Sequence, residues 1–207
     1  IQNVTIYDGL LGMEPSISTL LNNPALLEQY DIVFINCGAM EMNMMGPSLV
    51  ESPTVQANLR NFVESGGSLY ASDWAYDYIE RTWPYTIEFY GDDNMVDAAA
   101  WGIDGYITAQ VEDTALANYL GQSSVSLNYD LGSWVVTESA GSGTRILVTG
   151  AAQALDVNTF QNVTVPNAPL MVMFEYGEGK VMYTTFHNEA QSTADMDIIL
   201  EYMVFEL

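Results

Sequence analysis

Short apolar runs that alternate with amphipathic segments constrain the fold of this chain more than any other feature of its sequence. "NVTIYDG" (3–9) and "DIVFINCG" (31–38) are rich in β-branched residues and end in glycine, and "SISTLLNNPALLEQY" (16–30) between them has helical apolar spacing. A second helix-like segment stops at a glycine pair, and "SLYAS" (68–72) then predicts a buried strand. This order predicts an α/β fold with a mostly parallel, doubly wound sheet, its strands lying near residues 3–8, 31–37, 67–72 and 180–186.

The segment at about 86–165 departs from this alternation of strands and helices. It begins with an acidic, loop-like stretch and continues with the strand-like runs "YITAQVED", "SVSLNYD", "SWVVTESA" and "RILVTGAA" around one short helix, "TALANYLG". We therefore expect a β-rich excursion after the third strand. The chain closes with two strands joined across "GEG" and a helix, "ADMDIILEYMVFEL". Because 49% of its 207 residues are hydrophobic, we expect a single domain over residues 1–207 with a sizeable core.

The charge of the chain is strongly one-sided. Twenty-seven acidic residues stand against four Lys and Arg, which gives a formal net charge of -23. Such a chain repels nucleic acid and polyphosphates and attracts divalent cations. The shortage of Lys and Arg favours an extracellular, periplasmic or cell-surface location. The apolar runs are too short for a membrane span. The single cysteine excludes an internal disulfide, and the cysteine count by itself predicts no cysteine-based zinc site.

Polar side chains follow the predicted strands at the places where the strands end. Asp8, Cys37 with Gly38, Ser72 with Asp73, and His187 with Glu189 occupy these positions, and His187 is the only histidine of the chain. In open α/β sheets the functional crevice lies beyond the carboxyl ends of the strands, so these groups are expected to converge there.

Three patches carry a resemblance to a known family. "TFHNE" (185–189), "DIVFINCGA" (31–39) and "GGSLYASDWAYDYI" (66–79) resemble segments of the class I glutamine amidotransferase-like superfamily, near its trehalose-utilisation-like branch. The resemblance implies a flavodoxin-like fold. It also implies that His187 is a general base oriented by Glu189, and that Cys37 and Gly38 lie in the turn that forms the oxyanion hole. Asp8, Trp74 and Asp77 are further candidate binding residues of this edge.

The third patch departs from the family pattern at the nucleophile. The strand-to-helix elbow is "ASDWA", so Ser72 or Asp73 stands where the family has its cysteine, and both flanking glycines are absent. The thiol of the family's acyl-enzyme chemistry is therefore missing, and glutaminase activity is not expected. We expect Asp73 to hold His187 as a charged pair and to raise its pKa. Local pattern taken alone favours a structural role for both residues: Asp73 as a helix N-cap and Cys37 as a buried small hydrophobe.

The acidic stretch "YGDDNMVDAAAWGIDG" (90–105) offers oxygen ligands of the kind that Ca²⁺ takes, although it has no EF-hand spacing. Its candidate metal ligands are Asp92, Asp93, Asp97 and Asp104, and a solvated acidic loop is the alternative. No cofactor other than Ca²⁺ is expected. Seven aromatic residues nearby fit either a carbohydrate-binding cleft or core packing, and core packing is favoured. They are Trp74, Tyr76, Tyr78, Trp83, Tyr85, Phe89 and Tyr90.

Three functions fit these observations. The first is a non-catalytic, degenerate amidotransferase-like module, a pseudoenzyme that binds a small molecule or a protein. The second is a hydrolase that uses Ser72 or Asp73 with His187 and Glu189 on a small or carbohydrate-derived substrate. The third is a structural subunit of a surface assembly, in which the chain forms homo-oligomers or joins a larger complex. Fold alone does not choose among them.

Overall fold

The structure is a computed structural model that describes residues 3–10, 13–37, 48–91, 95–156, 159–187 and 193–207. These residues form six α-helices and eleven strands, and a 3₁₀ turn at Asp73–Ala75 precedes α4. None of the described helices is long and apolar enough to cross a lipid bilayer. The helices are α1 (Ile17–Leu21), α2 (Pro24–Leu27), α3 (Pro53–Glu64), α4 (Tyr76–Glu80), α5 (Thr114–Leu120) and α6 (Ala194–Glu206).

The strands belong to one nine-stranded sheet and one two-stranded sheet. The short second sheet pairs β3 with β8, and all other strands belong to the first sheet. The strands are β1 (Ile32–Ile35), β2 (Ser68–Ser72), β3 (Ile87–Phe89), β4 (Trp101–Gly102), β5 (Gly105–Val111), β6 (Ser124–Tyr129), β7 (Trp134–Val135), β8 (Thr137–Ala140), β9 (Arg145–Asp156), β10 (Gln161–Tyr176) and β11 (Gly179–Thr184).

The large sheet combines a parallel part with an antiparallel part. Its main path runs in the order β1-β2-β11-β10-β9-β4-β7, and β5 joins β9 and β6 beside that path. β2 pairs in parallel with both β1 and β11, as expected for the alternating segments. The other joints of this sheet are antiparallel, and they include the β10–β11 hairpin and the strands of the β-rich excursion. The predicted mixed α/β class is therefore confirmed, with the parallel pairing confined to three strands.

The core lies on both faces of the large sheet. Successive residues of β2 point to opposite faces, so Leu69 and Ala71 pack in one buried cluster while Tyr70 packs in the other. α3 contributes Leu59 and Phe62 to the first cluster, and α6 covers the second. The two clusters are thus the two sides of one sheet.

The first part of the chain differs from the sequence prediction. Residues 3–7 form no strand, and Asp8 makes only an isolated bridge with Ser16. Val4 and Ile6 are 74% and 83% exposed, and a cavity of about 1240 Å³ separates this segment from β1. The predicted strand at 3–8 is therefore wrong. Its β-branched residues fit a strand, but a strand also needs a hydrogen-bonded neighbour, and the segment does not pair with β1.

The predicted helix at 16–30 is divided into two short helices. α1 begins after Ser16, whose hydroxyl accepts a hydrogen bond from the Thr19 amide, and α2 begins at Pro24 after the N-cap Asn23. Proline suits the first turn of a helix but lacks the amide that a continuing helix would need, so the second helix starts there. The predicted helices at "TALANYLG" and "ADMDIILEYMVFEL" are confirmed as α5 and α6.

Candidate functional site

The three parallel strands bring a thiol, a carboxylate and an imidazole to one edge of the sheet. Cys37 lies two residues beyond β1, Asp73 directly follows β2, and His187 lies three residues beyond β11. Parallel strands end at the same edge, so these side chains converge although as many as 150 residues separate them in the sequence. The convergence of these three residues, expected from the strand ends, is present in the structure.

Asp73 is the centre of this cluster. Its Oδ2 atom lies 2.7 Å from Nε2 of His187 and 3.5 Å from Sγ of Cys37. Its Oδ1 atom accepts a hydrogen bond of 2.7 Å from the backbone amide of Val135. The Asp73 side chain is 4% exposed, and that of His187 is 24% exposed. A buried carboxylate requires such partners, because an unpaired one would be costly to desolvate.

The backbone at Asp73 adopts a left-handed conformation with a φ of +48°. This conformation is uncommon for residues other than glycine, although Asp and Asn tolerate it better than most. It turns the chain sharply from β2 into the 3₁₀ turn, so that the carboxylate points toward His187 rather than back along the helix. The N-cap positions of the 3₁₀ turn and of α4 are Ser72 and Ala75, so the interpretation of Asp73 as a helix N-cap is wrong.

Ser72 is buried and its hydroxyl is already engaged. The Oγ atom accepts a hydrogen bond of 3.2 Å from the backbone amide of Cys37, and the residue is 1% exposed. As the last residue of β2, Ser72 is held in the parallel ladder by its pairing with Thr184. The hydroxyl therefore serves to connect β1 with β2, and it is Asp73 that meets the imidazole.

The neighbours of His187 raise its pKa from 6.5 to about 10. The hydrogen bond to Asp73 is the largest cause, and contact with Cys37 acts in the same direction, while burial opposes them. A carboxylate at hydrogen-bond distance favours the protonated ring, so the pair is an imidazolium and a carboxylate at neutral pH. The expected rise in the pKa of His187 is confirmed.

Cys37 is half-buried, and its thiol donates toward Oδ2 of Asp73. It also lies in the wall of the cavity between residues 3–9 and β1. The interpretation of Cys37 as a buried apolar side chain is therefore wrong, because its sulfur lies in the polar cluster rather than in the core. Strand ends place side chains at an edge where polar partners from other strands are available, and a single sequence does not specify those partners.

The other candidate binding residues that the structure describes make their contacts outside this cluster. The Asp8 carboxylate accepts hydrogen bonds from the amides of Leu10 and Met13 within its own turn. The Trp74 indole N–H donates to the carbonyl oxygen of Ser133, and its ring is half-buried.

Asp77 is fully buried. It pairs with Arg81 at 3.4 Å and accepts a hydrogen bond of 2.8 Å from the Asp97 amide. These contacts tie α4 to the segment that follows residue 94. For Asp77 they indicate a structural role.

Four of the predicted residues lie outside the described part of the chain. They are Gly38, Glu189, Asp92 and Asp93. Two members of the predicted calcium loop are described: Asp97 and Asp104 are both exposed. Within the described residues, neither belongs to a group of three potential metal ligands, whereas Cys37, Asp73 and His187 do form such a group.

Sequence reasoning missed two residues that shape the site. Val135 supplies a backbone amide to Asp73, and Tyr183 donates its hydroxyl to the main-chain oxygen of Asp73 at 3.0 Å. A backbone amide leaves no signal in a sequence. Tyr183 lies inside an apolar strand, where an aromatic residue predicts core packing and not a contact with an elbow.

The aromatic group near the elbow is mainly core packing, as favoured from the sequence. Its rings pack edge-on or tilted against one another and against Tyr183. Tyr85 is the exception at 88% exposed, and Trp74 and Tyr90 are half-buried. The buried members are Tyr76, Tyr78, Trp83 and Phe89.

The fold has solved counterparts, although no protein-family model matches the chain and no curated protein matches it. A ThuA-like protein from Bacteroides uniformis ATCC 8492 superposes with a TM-score of 0.57 at 8% identity, over 90% of this chain and 72% of that one. The mmIFT52 N-terminal domain superposes with a TM-score of 0.56 at 14% identity, over 89% and 79%. The cytoplasmic protein STM3548 from Salmonella typhimurium gives 0.51 at 14% identity, over 91% and 78%.

At these identities the likeness concerns the fold alone. It covers 90% of this chain. The chain therefore has a mixed α/β fold like that of a ThuA-like protein, in agreement with the resemblance in its strand-end patches.

Proposed function

We propose that this chain is a non-catalytic, degenerate member of the amidotransferase-like, flavodoxin-like fold, and that it acts as a binding or assembly module of an exported or cell-surface protein. One observation carries the proposal: the elbow, where the family has its nucleophile, holds a buried carboxylate whose two oxygens are both engaged. Val135 and His187 each contact one oxygen of Asp73 at 2.7 Å.

This arrangement supports the proposal because Ser72 lacks the contacts that activate a serine nucleophile. A serine nucleophile needs a free hydroxyl beside a neutral imidazole, whereas Ser72 bonds to the Cys37 amide and His187 bonds to Asp73. The imidazolium of such an ion pair cannot accept a proton until its own proton leaves. The cluster therefore acts as a structural connection between strand ends.

Three features support a binding or assembly role. The cavity of about 1240 Å³ beside β1 has both apolar and polar walls, as small-molecule sites do. Tyr85, Tyr106 and Phe160 are each more than 70% exposed and are the candidate contact residues of a larger assembly. The charge of -23 favours a partner with cationic groups.

The test is an activity screen on the whole chain. Wild type and His187→Gln are incubated with glutamine, with p-nitrophenyl esters and with nitrophenyl glycosides, and a fluorophosphonate probe is followed by intact mass. We expect ammonia and nitrophenol release at the buffer rate for both proteins, and no labelling of Ser72. Turnover that is present in wild type and absent in His187→Gln would contradict the proposal.

The assembly role has its own measurement, because light scattering after size exclusion gives the oligomeric state. A concentration-dependent oligomer that Tyr85→Ser or Phe160→Ser dissociates supports a structural subunit. A monomer at all concentrations favours a module that binds a small molecule or another protein.

A second candidate function rests on the φ of +48° at Asp73. Backbone strain often occurs at functional sites, and nucleophile elbows are sharp strand-to-helix turns of this kind. In this alternative the Asp73 carboxylate attacks a carbon of a small or carbohydrate-derived substrate and forms an ester, while the bond to the leaving oxygen breaks and that oxygen takes the proton of the His187 imidazolium. The neutral imidazole then accepts a proton from the water that hydrolyses the ester. His187→Gln would then trap the ester on Asp73, which peptide mass mapping detects as substrate mass on that residue.

A further inference from the structure

The only cysteine and the only histidine of the chain lie at the same carboxylate. Cys37 and His187 are 150 positions apart in a chain of 207 residues, yet both contact Oδ2 of Asp73. One ligand atom from each of the three residues lies within 4.8 Å of the others. We propose that Cys37, Asp73 and His187 form a Zn²⁺ site. The proposal requires no catalysis and goes beyond the binding or assembly role.

The donor set favours zinc over the hard divalent cations. Zn²⁺ binds thiolate, imidazole and carboxylate, and sites with three protein ligands commonly keep a fourth position for water or another ligand. Ca²⁺ and Mg²⁺ bind almost exclusively to oxygen ligands. A site made of a thiolate and an imidazole therefore has low affinity for these two ions. The acidic stretch 90–105 is the place in this chain where Ca²⁺ was expected, so the two metals are assigned to different sites.

The distances are close to those that tetrahedral zinc needs. Bonds of about 2.0–2.3 Å at tetrahedral angles place ligand atoms about 3.3–3.6 Å apart. The Cys37 sulfur already lies 3.5 Å from Oδ2 of Asp73, and Nε2 of His187 lies 2.7 Å from it. The imidazole must therefore withdraw by roughly 0.6 Å to admit the ion. Its side chain is 24% exposed, so the ring has room on its solvent side.

Hydrogen bonds around the cluster hold the ligands in place, as outer-shell contacts do in metal sites. The Val135 amide binds Oδ1 of Asp73 and leaves Oδ2 for the ion. Tyr183 fixes the main-chain oxygen of the same residue, and the Cys37 amide donates to Oγ of Ser72. Ligands that are already positioned lose little freedom when the metal binds.

The Lys and Arg side chains do not fill the place beside Asp73 that the metal ion would take. All four Lys and Arg residues are described, and each contacts a group other than Asp73: Arg60 binds the carbonyl of Thr82, Arg81 pairs with Asp77, Arg145 pairs with Asp113 and Glu206, and Lys180 binds the carbonyl of Glu206. The net charge of -23 raises the local concentration of divalent cations at such a surface. When Zn²⁺ binds, the thiol proton of Cys37 and the Nε2 proton of His187 pass to solvent.

The test uses Co²⁺ as a spectroscopic substitute for Zn²⁺. The chain is first freed of metal with a chelator under reducing conditions and titrated with Co²⁺ at pH 7.5, and Zn²⁺ is then added as a competitor. We expect one equivalent to bind, with a near-ultraviolet thiolate-to-cobalt charge-transfer band and the intense visible bands of four-coordinate Co²⁺. Zn²⁺ should bleach both, and a thousandfold excess of Ca²⁺ should not.

Three variants make the test specific. Cys37→Ser should abolish the charge-transfer band, and His187→Gln should weaken Co²⁺ binding at least tenfold. Asp104→Asn removes an exposed carboxylate of the acidic stretch and should leave the titration unchanged. Far-ultraviolet circular dichroism shows whether each variant folds, and the NMR signals of the single histidine ring in wild type give a second readout, since Zn²⁺ should shift them.

Two results would overturn the proposal. One is a folded wild type whose spectrum lacks the charge-transfer band and whose His187 signals do not move with Zn²⁺. The other is equal Zn²⁺ affinity in wild type and Cys37→Ser. Neither result depends on turnover. The metal titration therefore tests the zinc site alone, and the activity screen separately tests whether the chain is non-catalytic.

Discussion

The Tyr183 hydroxyl donates a hydrogen bond of 3.0 Å to the main-chain oxygen of Asp73, and both residues are buried. Tyr183 belongs to β11, while Asp73 follows β2, the strand that pairs with β11 in parallel. The bond therefore connects the elbow to the neighbouring strand. It stabilises the left-handed backbone of Asp73, which presents the carboxylate to His187.

Removal of this hydroxyl should loosen the elbow. Tyr183→Phe leaves a buried carbonyl oxygen without its donor, which costs about 1–2 kcal/mol of unfolding free energy. We also expect the ring signals of His187 to shift, because the carboxylate that faces them becomes less fixed. Urea unfolding and two-dimensional NMR measure the two effects.

Tyr129→Phe is the matched control for this change. The Tyr129 hydroxyl is also buried and hydrogen-bonded, but to the side chain of Thr185 at 2.7 Å. It should lower stability by a similar amount and leave the His187 signals in place. Equal NMR shifts in the two variants would mean that the contact between Tyr183 and Asp73 has no special role.

Stability should fall with pH through the window in which His187 titrates. The folded pKa of His187 is raised to about 10 by Asp73, against an unfolded value of 6.5. The contribution of the ion pair is therefore complete below pH 6.5 and is lost as the pH rises toward 10, because the folded state binds the extra proton in this range. The experiment compares metal-free wild type with His187→Gln by urea unfolding between pH 6 and pH 10.

The difference between the two proteins isolates the histidine, since other titrations occur in both. We expect this difference to shrink steadily as the pH rises. A difference that stays constant or grows over the same range would show that Asp73 does not stabilise the protonated ring.

Gly177 should tolerate alanine poorly because of its surroundings. Its φ is +62°, and a Cβ atom built there would lie 2.5 Å from the Cα atom and the carbonyl oxygen of Glu64. The residue forms the turn between β10 and β11, where that turn passes the end of α3. We expect Gly177→Ala to lower the unfolding free energy by about 3 kcal/mol, from backbone strain and overpacking together.

Gly121→Ala separates the two causes. Gly121 has a similar φ of +71°, and a Cβ atom there would meet nothing within 4 Å. Only the backbone strain applies at Gly121, so we expect Gly121→Ala to lower the unfolding free energy by about 1 kcal/mol. If both substitutions cost the same in urea unfolding, the close approach of Gly177 to α3 contributes nothing.

Millimolar Ca²⁺ should raise the melting temperature. A net charge of -23 destabilises the compact state through self-repulsion, and divalent cations reduce that repulsion. Differential scanning fluorimetry with Ca²⁺, with NaCl at matched ionic strength and with chelator measures the effect. A rise with Ca²⁺ beyond that with NaCl supports a bound ion at residues 92–104, and Asp97→Asn should then reduce the difference. Equal melting temperatures in all three solutions would reject the prediction.

Much of the architecture was predictable from local sequence. The spacing of apolar residues and the positions of turn residues predicted β1, β2, β11, α5 and α6, because each of these elements shows its pattern within a few residues. The same reasoning failed at residues 3–8, which have strand composition but no hydrogen-bonded neighbour. It also predicted one helix where Pro24 begins a second.

The sequence by itself determined which groups stand at the ends of the parallel strands. A strand that ends at Ser72 must deliver Asp73 to the sheet edge, and the same holds for Cys37 and His187, because parallel strands share that edge. It also determined the absence of a cysteine at the elbow. These are properties of short segments and of chain direction.

Only the tertiary structure decided how those groups interact. The bond from Val135 comes from a strand 62 residues away, and Tyr183 supports the elbow from a neighbouring strand. Local pattern favoured Asp73 as a helix cap and Cys37 as a core residue. The structure reversed both assignments. A carboxylate removed from water must find donors wherever the fold supplies them, and the donors to Asp73, the Cys37 thiol among them, come from distant parts of the chain.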